Sequence, residues 1–256
     1  MTTPSIHVSD ATTDTRPVDL TPRSTSGRTL KERTIGGLHE ELLKRVKNLN
    51  GLSPDTPILD IGCGTGIWMH RLAASGFRAL HGVDSDIGQF ATDRATCSAV
   101  DIDTSADLDL GSRKFGLITA IEVLEHLENP GRLFLHVARH LSDDGMFLMT
   151  TPNIHSVLCR FRFLLTGKLK QFDSKGDPTH IYPVLLNSLH KILPRYRLAI
   201  VDKWSYPANG GSITSRPIVK VAASVLGLIL PNDDPGDMLC LMIQRDPESP
   251  GKVKRH

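Results

Sequence analysis

The chain has 256 residues, which is enough for one α/β domain with a full core and some added segments. Its 30 Lys and Arg residues nearly balance its 28 Asp and Glu residues, so the overall charge gives no reason to expect a polyanion such as DNA as partner. The four cysteines form no C-x-x-C pair, and no apolar run reaches the ~18 residues that span a bilayer. We therefore expect a cytoplasmic protein with reduced cysteines and no transmembrane segment.

The predicted domain organisation has three parts. Residues 1–33 are rich in Thr, Ser, Pro, Asp and Arg and lack periodicity, which is typical of a disordered leader. Residues 34–246 are predicted to form a single domain, in which residues 153–183 make a lid-like insertion of mixed apolar and basic residues. Residues 247–256 are predicted to be a mobile polar tail.

The domain is predicted to begin with a helix over Ile35–Asn48, where apolar residues recur at helical spacing. A buried strand over Pro57–Ile61 then runs into the turn Gly62-Cys63-Gly64-Thr65-Gly66, and a helix follows from Ile67. A strand, a glycine-rich turn and a helix N-terminus form a cradle for a nucleotide-like ligand. The third glycine comes one residue earlier than in the dinucleotide fingerprint. Asp60, at the mouth of the cradle, would repel a pyrophosphate and suits a cationic ligand.

Four further strands are predicted with helices or helical turns between them: Phe77–Val83, Thr96–Val100, Phe115–Ile121 and Gly145–Thr150. This alternation predicts a doubly wound parallel sheet, whose ligands bind at the carboxyl ends of the strands. Asp84 follows the second strand at the spacing of a ribose-binding carboxylate. Asp101, after the third strand, can accept a hydrogen bond from an adenine amine while Ile102 packs on the ring. Both are expected to face the same crevice as the glycine turn.

Together these segments resemble the class I S-adenosylmethionine-dependent methyltransferases. The matching pieces are Leu59–Gly66, Gly82-Val83-Asp84, Val100-Asp101, Phe115–Ile118 and Glu122–Leu127. The resemblance implies an α/β fold with a Rossmann-like, doubly wound, seven-stranded sheet that is mostly parallel with an antiparallel last strand. The segments that fit the family's final antiparallel hairpin are Tyr196–Trp204 and Met238–Gln244.

The resemblance also implies S-adenosyl-L-methionine as cofactor. The family's three turn glycines line its methionine part, a role that falls here to Gly62, Gly64 and Gly66. The same comparison places Asp60 near the cofactor's amino group and Asp84 on its ribose. It places Asp101 and Ile102 on the adenine.

The stretch Glu122-Val123-Leu124-Glu125-His126 points to the acceptor side. If it is helical, Glu122, Glu125 and His126 share one face, because residues at i, i+3 and i+4 are neighbours. The stretch resembles ubiquinone-biosynthesis O-methyltransferases and small-RNA 2′-O-methyltransferases, in which such residues and a distant His hold a divalent metal such as Mg or Mn. His180 would be that distant ligand here. The alternative is a metal-free acceptor pocket in which Glu122, His126 and His180 are catalytic, since His and carboxylate together are not the all-oxygen set that Mg²⁺ prefers.

We therefore predict an enzyme that methylates an oxygen of a small or lipid- or sugar-linked acceptor. One alternative is a metal-dependent enzyme acting on a quinone precursor or an RNA 2′-hydroxyl. Another is a non-catalytic cofactor-binding module, against which the intact glycines and Asp84 argue. A nicotinamide-dependent oxidoreductase is disfavoured by the glycine spacing. DNA bases are disfavoured because Ala120-Ile121-Glu122 replaces the Asn-Pro-Pro-aromatic type of motif.

Two apolar segments bear on the partners. Pro217–Leu230 is so apolar that it is predicted to be a helix buried under the sheet edge or in a homodimer. Contact with a lipidic acceptor or a membrane surface is the alternative. The apolar and basic residues of Leu158–Lys170 predict an ordinary lid helix, or else a surface for an anionic or lipid-linked acceptor.

Overall fold

The computed structural model describes residues 28–174, 176–208 and 234–246. Their strands are β1 (Ile58–Ile61), β2 (Leu80–Asp84), β3 (Thr96–Ala99), β4 (Phe115–Ile121), β5 (Leu141–Pro152), β6 (Leu198–Tyr206) and β7 (Met238–Arg245). They form one seven-stranded sheet in the order β3-β2-β1-β4-β5-β7-β6. The strands from β3 to β5 pair in parallel, whereas β7 lies antiparallel to both β5 and β6. This confirms the predicted Rossmann-like fold and its antiparallel last strand.

Helices cover both faces of the sheet. They are α1 (Leu38–Lys47), α2 (Ile67–Ala74), α3 (Pro130–His140), α4 (Val157–Thr166) and α5 (Leu186–Ile192). Strand β7 shows how the two faces are built, because successive side chains of a strand point to opposite sides. Leu239, Leu241 and Ile243 join the core that contains α3, while Met238, Cys240 and Met242 join the core that contains α1 and α2.

Several predicted boundaries shift for local reasons. Helix α1 begins at Leu38 rather than Ile35, because Gly37 takes a left-handed conformation at its N-cap. The helix expected after β2 is a single 3₁₀ turn over Ile87–Gln89, where the side chain of Asp86 accepts the Gly88 amide. Strand β2 starts at Leu80 rather than Phe77, because the Phe77 amide closes α2 by bonding to a carbonyl of that helix.

The expected helical face of Glu122, Glu125 and His126 does not form. The backbone at Glu122 is left-handed, with φ 54°, and only Leu124–His126 make a 3₁₀ turn. The physical reason is that the Glu122 amide donates to the backbone carbonyl and the hydroxyl of Thr150 on β5, at 3.2 and 3.1 Å. Pairing with β5 therefore continues through Glu122, and the chain turns there instead of entering a helix.

The domain starts before the predicted boundary at residue 34. Leu30 is buried and packs against Ile67 and Ala91, so residues 28–33 belong to the domain rather than to a leader. The predicted lid does contain a helix, α4. The rest of the leader, the apolar segment Pro217–Leu230 and the tail over residues 247–256 lie outside the described residues. Within the described ranges, no helix combines the length and apolarity that crossing a bilayer requires.

Candidate functional site

A cavity of about 500 Å³ opens at the carboxyl ends of β1 to β4. This is the edge at which ligands bind in open α/β sheets. Most of the predicted site residues line it: Asp60, Gly62, Gly64, Asp84, Asp101, Ile102, Glu122, His126 and His180. Two predicted residues do not. Gly66 is the N-cap of α2, and Glu125 is fully buried behind the wall of the cavity.

The turn after β1 requires glycine at two positions. Gly62 and Gly66 have φ of 73° and 79°, in the left-handed region that glycine enters without steric cost. A Cβ atom on Gly62 would lie 2.6 Å from a methyl of Val123, and one on Gly66 would lie 2.7 Å from both Phe90 and Thr92. The glycine spacing is thus set by the close approach of the turn to neighbouring loops.

Asp84 is held at the floor of this turn. Its two carboxylate oxygens accept the amides of Gly64 and Asp86, at 2.7 and 2.9 Å. A carboxylate has about four lone-pair positions, so both oxygens can accept further hydrogen bonds from ligand hydroxyls. Asp101 accepts the Asp103 amide at 2.9 Å beside the buried Ile102. The acceptors along this wall fit the hydroxyls and the amine of an adenosine.

Asp60 is a buried carboxyl with one hydrogen-bond donor. It is 3% exposed, and one of its oxygens accepts the hydroxyl of Thr119 at 2.6 Å. Burial raises the pKa of Asp60 to about 7, and the negative charge of Asp84 acts in the same direction. A carboxyl with this pKa ionises when a cation binds beside it, which fits a positively charged ligand group.

His126 and His180 meet in the lining of the cavity, with ring centroids 4.7 Å apart. Nδ1 of His126 lies 2.8 Å from the hydroxyl of Thr179 and 3.2 Å from its carbonyl oxygen. That hydroxyl donates to Asp177, so it accepts from the imidazole, and the Nδ1 of His126 carries the proton. Nδ1 of His180 donates to the carbonyl of Gln171 at 3.0 Å. In each neutral ring, Nε2 therefore keeps its lone pair.

Glu125 lies beneath these two imidazoles. One ligand atom from each of Glu125, His126 and His180 lies within 4.8 Å of the others. Both carboxylate oxygens of Glu125 are buried, and the hydroxyl of Thr151 is the side-chain donor beside them. Burial outweighs the effect of Thr151 and raises the pKa of this carboxyl to about 8. A buried carboxyl beside two imidazole lone pairs is a donor set that fits a borderline divalent cation better than Mg²⁺. Glu122, a predicted ligand, lines the cavity but is not part of this cluster.

The sequence-based predictions missed a segment that crosses the glycine turn, which we name the N-terminal strap (residues 28–34). The hydroxyl of Thr65 donates to the carbonyl of Lys31 at 3.0 Å and accepts its amide at 3.3 Å. Glu32 of the strap pairs with Arg71 on α2 at 2.6 Å. Among the described residues, Lys31 and Arg33 supply the Lys and Arg side chains of the cavity lining. Most of the other charged side chains in the lining are acidic.

Comparison with known proteins identifies the family. A model of methyltransferase domains matches residues 32–203. The chain belongs to this family. Among curated proteins, it is similar to a ubiquinone biosynthesis O-methyltransferase of Rickettsia conorii, with 34% identity over 102 residues. This alignment covers 38% of the present chain and 35% of the relative. Across eight curated relatives of this name from Rickettsia, the chain spans between 35% and 48% of their length.

Solved structures show the same fold at low identity. One is an S-adenosylmethionine-dependent methyltransferase from Archaeoglobus fulgidus, with TM-score 0.53 and 18% identity over 81% of this chain and 92% of the other. Another is magnesium protoporphyrin IX methyltransferase from Synechocystis with bound S-adenosylhomocysteine. Its TM-score is 0.53, and the identity is 15% over 81% of this chain and 82% of the other. At these identities the likeness concerns the fold alone. Family and fold together support S-adenosylmethionine as the cofactor.

Proposed function

We propose that this methyltransferase-family protein transfers a methyl group from S-adenosylmethionine to an oxygen of a small or lipid- or sugar-linked acceptor. One observation carries the proposal. The same cavity is lined by the glycine turn with Asp60 and Asp84 and by the imidazole of His126, whose Nε2 is free to accept a proton. When bound, the cofactor supplies a methyl group on a cationic sulfur.

On the cofactor side we assign four contacts. Asp84 accepts the ribose hydroxyls, and Asp101 with Ile102 holds the adenine. Asp60 faces the positive charge of the cofactor's amino acid part. The cofactor also carries one carboxylate, and charge complementarity assigns it to Lys31, the exposed cation beside the turn, because like-charge contacts with the acidic lining would be unfavourable. No described residue accepts a hydrogen bond from the Lys31 ammonium, which leaves it available.

His126 is the proposed general base. Burial lowers its pKa, and the neighbouring His180 lowers it further, so the imidazole is neutral at pH 7. The bonds from Nδ1 to Thr179 fix the tautomer and the ring orientation, so that Nε2 takes the proton of an acceptor hydroxyl as the oxygen attacks the methyl group. A positioned base of this kind contributes roughly 10²- to 10⁴-fold to the rate. His180 and Glu122 border the same acceptor space.

A metal-dependent form of the same reaction is the second candidate, and the clustering of the buried Glu125 with His126 and His180 favours it. Glu125, His126 and His180 would hold the cation, and Glu122 would be an outer ligand at most, since it is not in the cluster. A bound cation would lower the pKa of the acceptor hydroxyl. Quinone precursors and RNA 2′-hydroxyls are the acceptors that the resemblance suggests for this form.

Exposed apolar side chains on the lid favour an acceptor with a lipid part. Phe163, Leu164 and Leu165, at the end of α4, are 50%, 80% and 66% exposed, and Lys168 follows them at the surface. An apolar patch with a cation beside it suits an amphipathic ligand or peripheral contact with a lipid surface. Sugar-linked lipids present both a tail and hydroxyls.

Isothermal titration with S-adenosylhomocysteine and with NAD tests the cofactor. We expect binding of S-adenosylhomocysteine alone. Preferential NAD binding would support an oxidoreductase, and binding of S-adenosylhomocysteine without any transfer in the screen below would support a non-catalytic module.

Transfer of a labelled methyl group is then measured over hydroxylated aromatic, sugar and lipid acceptors. His126→Ala is expected to abolish most transfer and to preserve cofactor binding, whereas His190→Ala, an exposed histidine on α5, serves as control. Retained transfer in His126→Ala would exclude this base. Treatment with EDTA followed by Mn²⁺ or Mg²⁺ decides between the two forms of the reaction, because unchanged turnover in EDTA excludes the metal.

A further inference from the structure

Two cysteines from distant parts of the chain meet beside the glycine turn. The sulfur of Cys63, in the turn itself, lies 3.2 Å from the sulfur of Cys97 on β3, and both are free thiols. Cys63 is 6% exposed, whereas Cys97 is only partly buried. The other two described cysteines, Cys159 and Cys240, are buried free thiols.

The two sulfurs can approach each other because β2 has a glycine, Gly82, between them. Gly82 pairs with Cys97 in the sheet register, and a Cβ atom on Gly82 would lie 2.7 Å from the sulfur of Cys63. The amide of Cys63 donates to the carbonyl of Val83 at 3.2 Å, which holds the turn above the end of β2. The side chain of Cys63 can therefore cross over Gly82 and reach Cys97. A glycine inside a strand commonly marks such a close approach.

We propose that Cys63 and Cys97 form a peroxide-sensitive dithiol site whose disulfide form weakens cofactor binding. The disulfide itself follows from the sulfur geometry alone, and its effect on the cofactor rests on the proposed function. Nothing about the acceptor enters the proposal.

The chemistry needs a hydroperoxide as oxidant and proceeds in two balanced steps. The thiolate of Cys97 attacks a peroxide oxygen, so that an S–O bond forms, the O–O bond breaks and hydroxide leaves. The thiol of Cys63 then displaces water from this sulfenic acid, and the S–S bond forms. Overall, two thiols and one hydrogen peroxide give one disulfide and two waters. Cys97 is the attacking group because the hydrogen bond from the Cys63 thiol lowers the pKa of Cys97, and because it is the less buried sulfur.

Formation of the Cys63–Cys97 disulfide must move either the glycine turn or β3. A disulfide has a sulfur separation of about 2.0 Å, so the sulfurs approach each other by about 1.2 Å. Cys63 lies between two glycines with positive φ, and the next amide, that of Gly64, donates to Asp84. Displacing Cys63 therefore shifts both the turn that lines the methionine part and the hydrogen bond that orients the ribose-binding carboxylate.

Peptide mapping of the full chain tests the site directly. The reduced protein is exposed to hydrogen peroxide, blocked with an alkylating reagent under denaturing conditions, and digested without reduction. We expect a cross-linked peptide pair containing Cys63 and Cys97, lighter by two hydrogen atoms, while Cys159 and Cys240 are recovered alkylated. Absence of the cross-linked pair, or equal oxidation of all four cysteines, would overturn the proposal.

Titration with S-adenosylhomocysteine measures the consequence. We expect oxidation to weaken binding on the order of tenfold, as loss of a charge-assisted hydrogen bond does, and dithiothreitol to restore it. Cys97→Ser should bind S-adenosylhomocysteine like the reduced wild type, and peroxide should not change its affinity. Cys159→Ala should lose affinity on oxidation as the wild type does. A quantitative cross-link with unchanged affinity would refute the regulatory role. A reduced wild type that does not bind S-adenosylhomocysteine would refute the proposed function, while the mapping would still decide the dithiol site.

Discussion

The buried carboxyl of Asp60 makes a quantitative prediction about cofactor binding. Because its pKa in the free protein is about 7 and a cationic ligand requires the ionised form, binding must release a proton at low pH. Relative to the protein with Asp60 fully ionised, the apparent dissociation constant is multiplied by 1 + [H⁺]/Ka, where Ka is the acid dissociation constant of Asp60. This factor is about 11 at pH 6 and about 1.3 at pH 7.5, so affinity is expected to fall about eightfold between the two.

Isothermal titration with S-adenosylhomocysteine at both pH values measures this change. Asp60→Asn removes the titrating group, so its affinity should be roughly tenfold lower at pH 7.5 and nearly independent of pH. Thr119→Val removes the hydroxyl that stabilises the ionised form, and the drop should therefore begin at higher pH. Glu122 lines the same cavity, and burial raises its pKa to about 7, so Glu122→Gln is the necessary control and should keep the pH dependence. If Asp60→Asn keeps the full eightfold change and Glu122→Gln loses it, the assignment to Asp60 is wrong.

Three further predictions concern the turn, the strap and the base. Gly62→Ala places a Cβ atom on a left-handed backbone and against Val123. It should lower the free energy of unfolding, measured in urea, by about 2–4 kcal/mol. Lys31→Ala removes the cation proposed for the cofactor carboxylate and should weaken S-adenosylhomocysteine binding about threefold to tenfold. Thr179→Val removes one of the acceptors that orient the His126 ring, and it should lower kcat about tenfold without changing cofactor affinity.

Each has a control of similar chemistry. Gly36→Ala, where an added Cβ meets no atom within 4 Å, should change stability by less than about 0.5 kcal/mol. Lys168→Ala alters an exposed lysine outside the cavity and should leave the binding constant unchanged. Equal stability of the two glycine variants, equal affinity of the two lysine variants, or a wild-type kcat for Thr179→Val would contradict the corresponding assignment.

The sheet and the crevice at its edge were predictable because they depend on short-range rules. Alternating strands and helices indicate a parallel sheet, and carboxyl ends of parallel strands share one edge. Asp60, Asp84 and Asp101 could therefore be placed in one crevice without knowing any side-chain contact, and all three line the cavity.

The arrangement around Glu122 and His126 and the course of the strap depended on contacts that no local sequence pattern encodes. The spacing of Glu122 and His126 suggested a helix, but a hydrogen bond to β5, distant in sequence, turns the chain at Glu122. The strap could not be recognised from the sequence because Leu30 is its one buried apolar residue, which makes no periodic pattern. Its other contacts include polar bonds from Lys31 and Glu32 to Thr65 and Arg71. The proton position on His126 likewise depends on Thr179, far away along the chain.

The place of β7 has a consequence for how the chain is completed during synthesis. β7 is the last described strand, yet it lies between β5 and β6 and is almost entirely buried. Until residues 238–245 leave the ribosome, β5 and β6 each expose the edge that β7 pairs with in the finished fold, the condition that invites intermolecular strand pairing. A nascent chain stalled before β7 would thus already contain the glycine turn while still being a target for chaperones, and β7 would complete the sheet of the described residues.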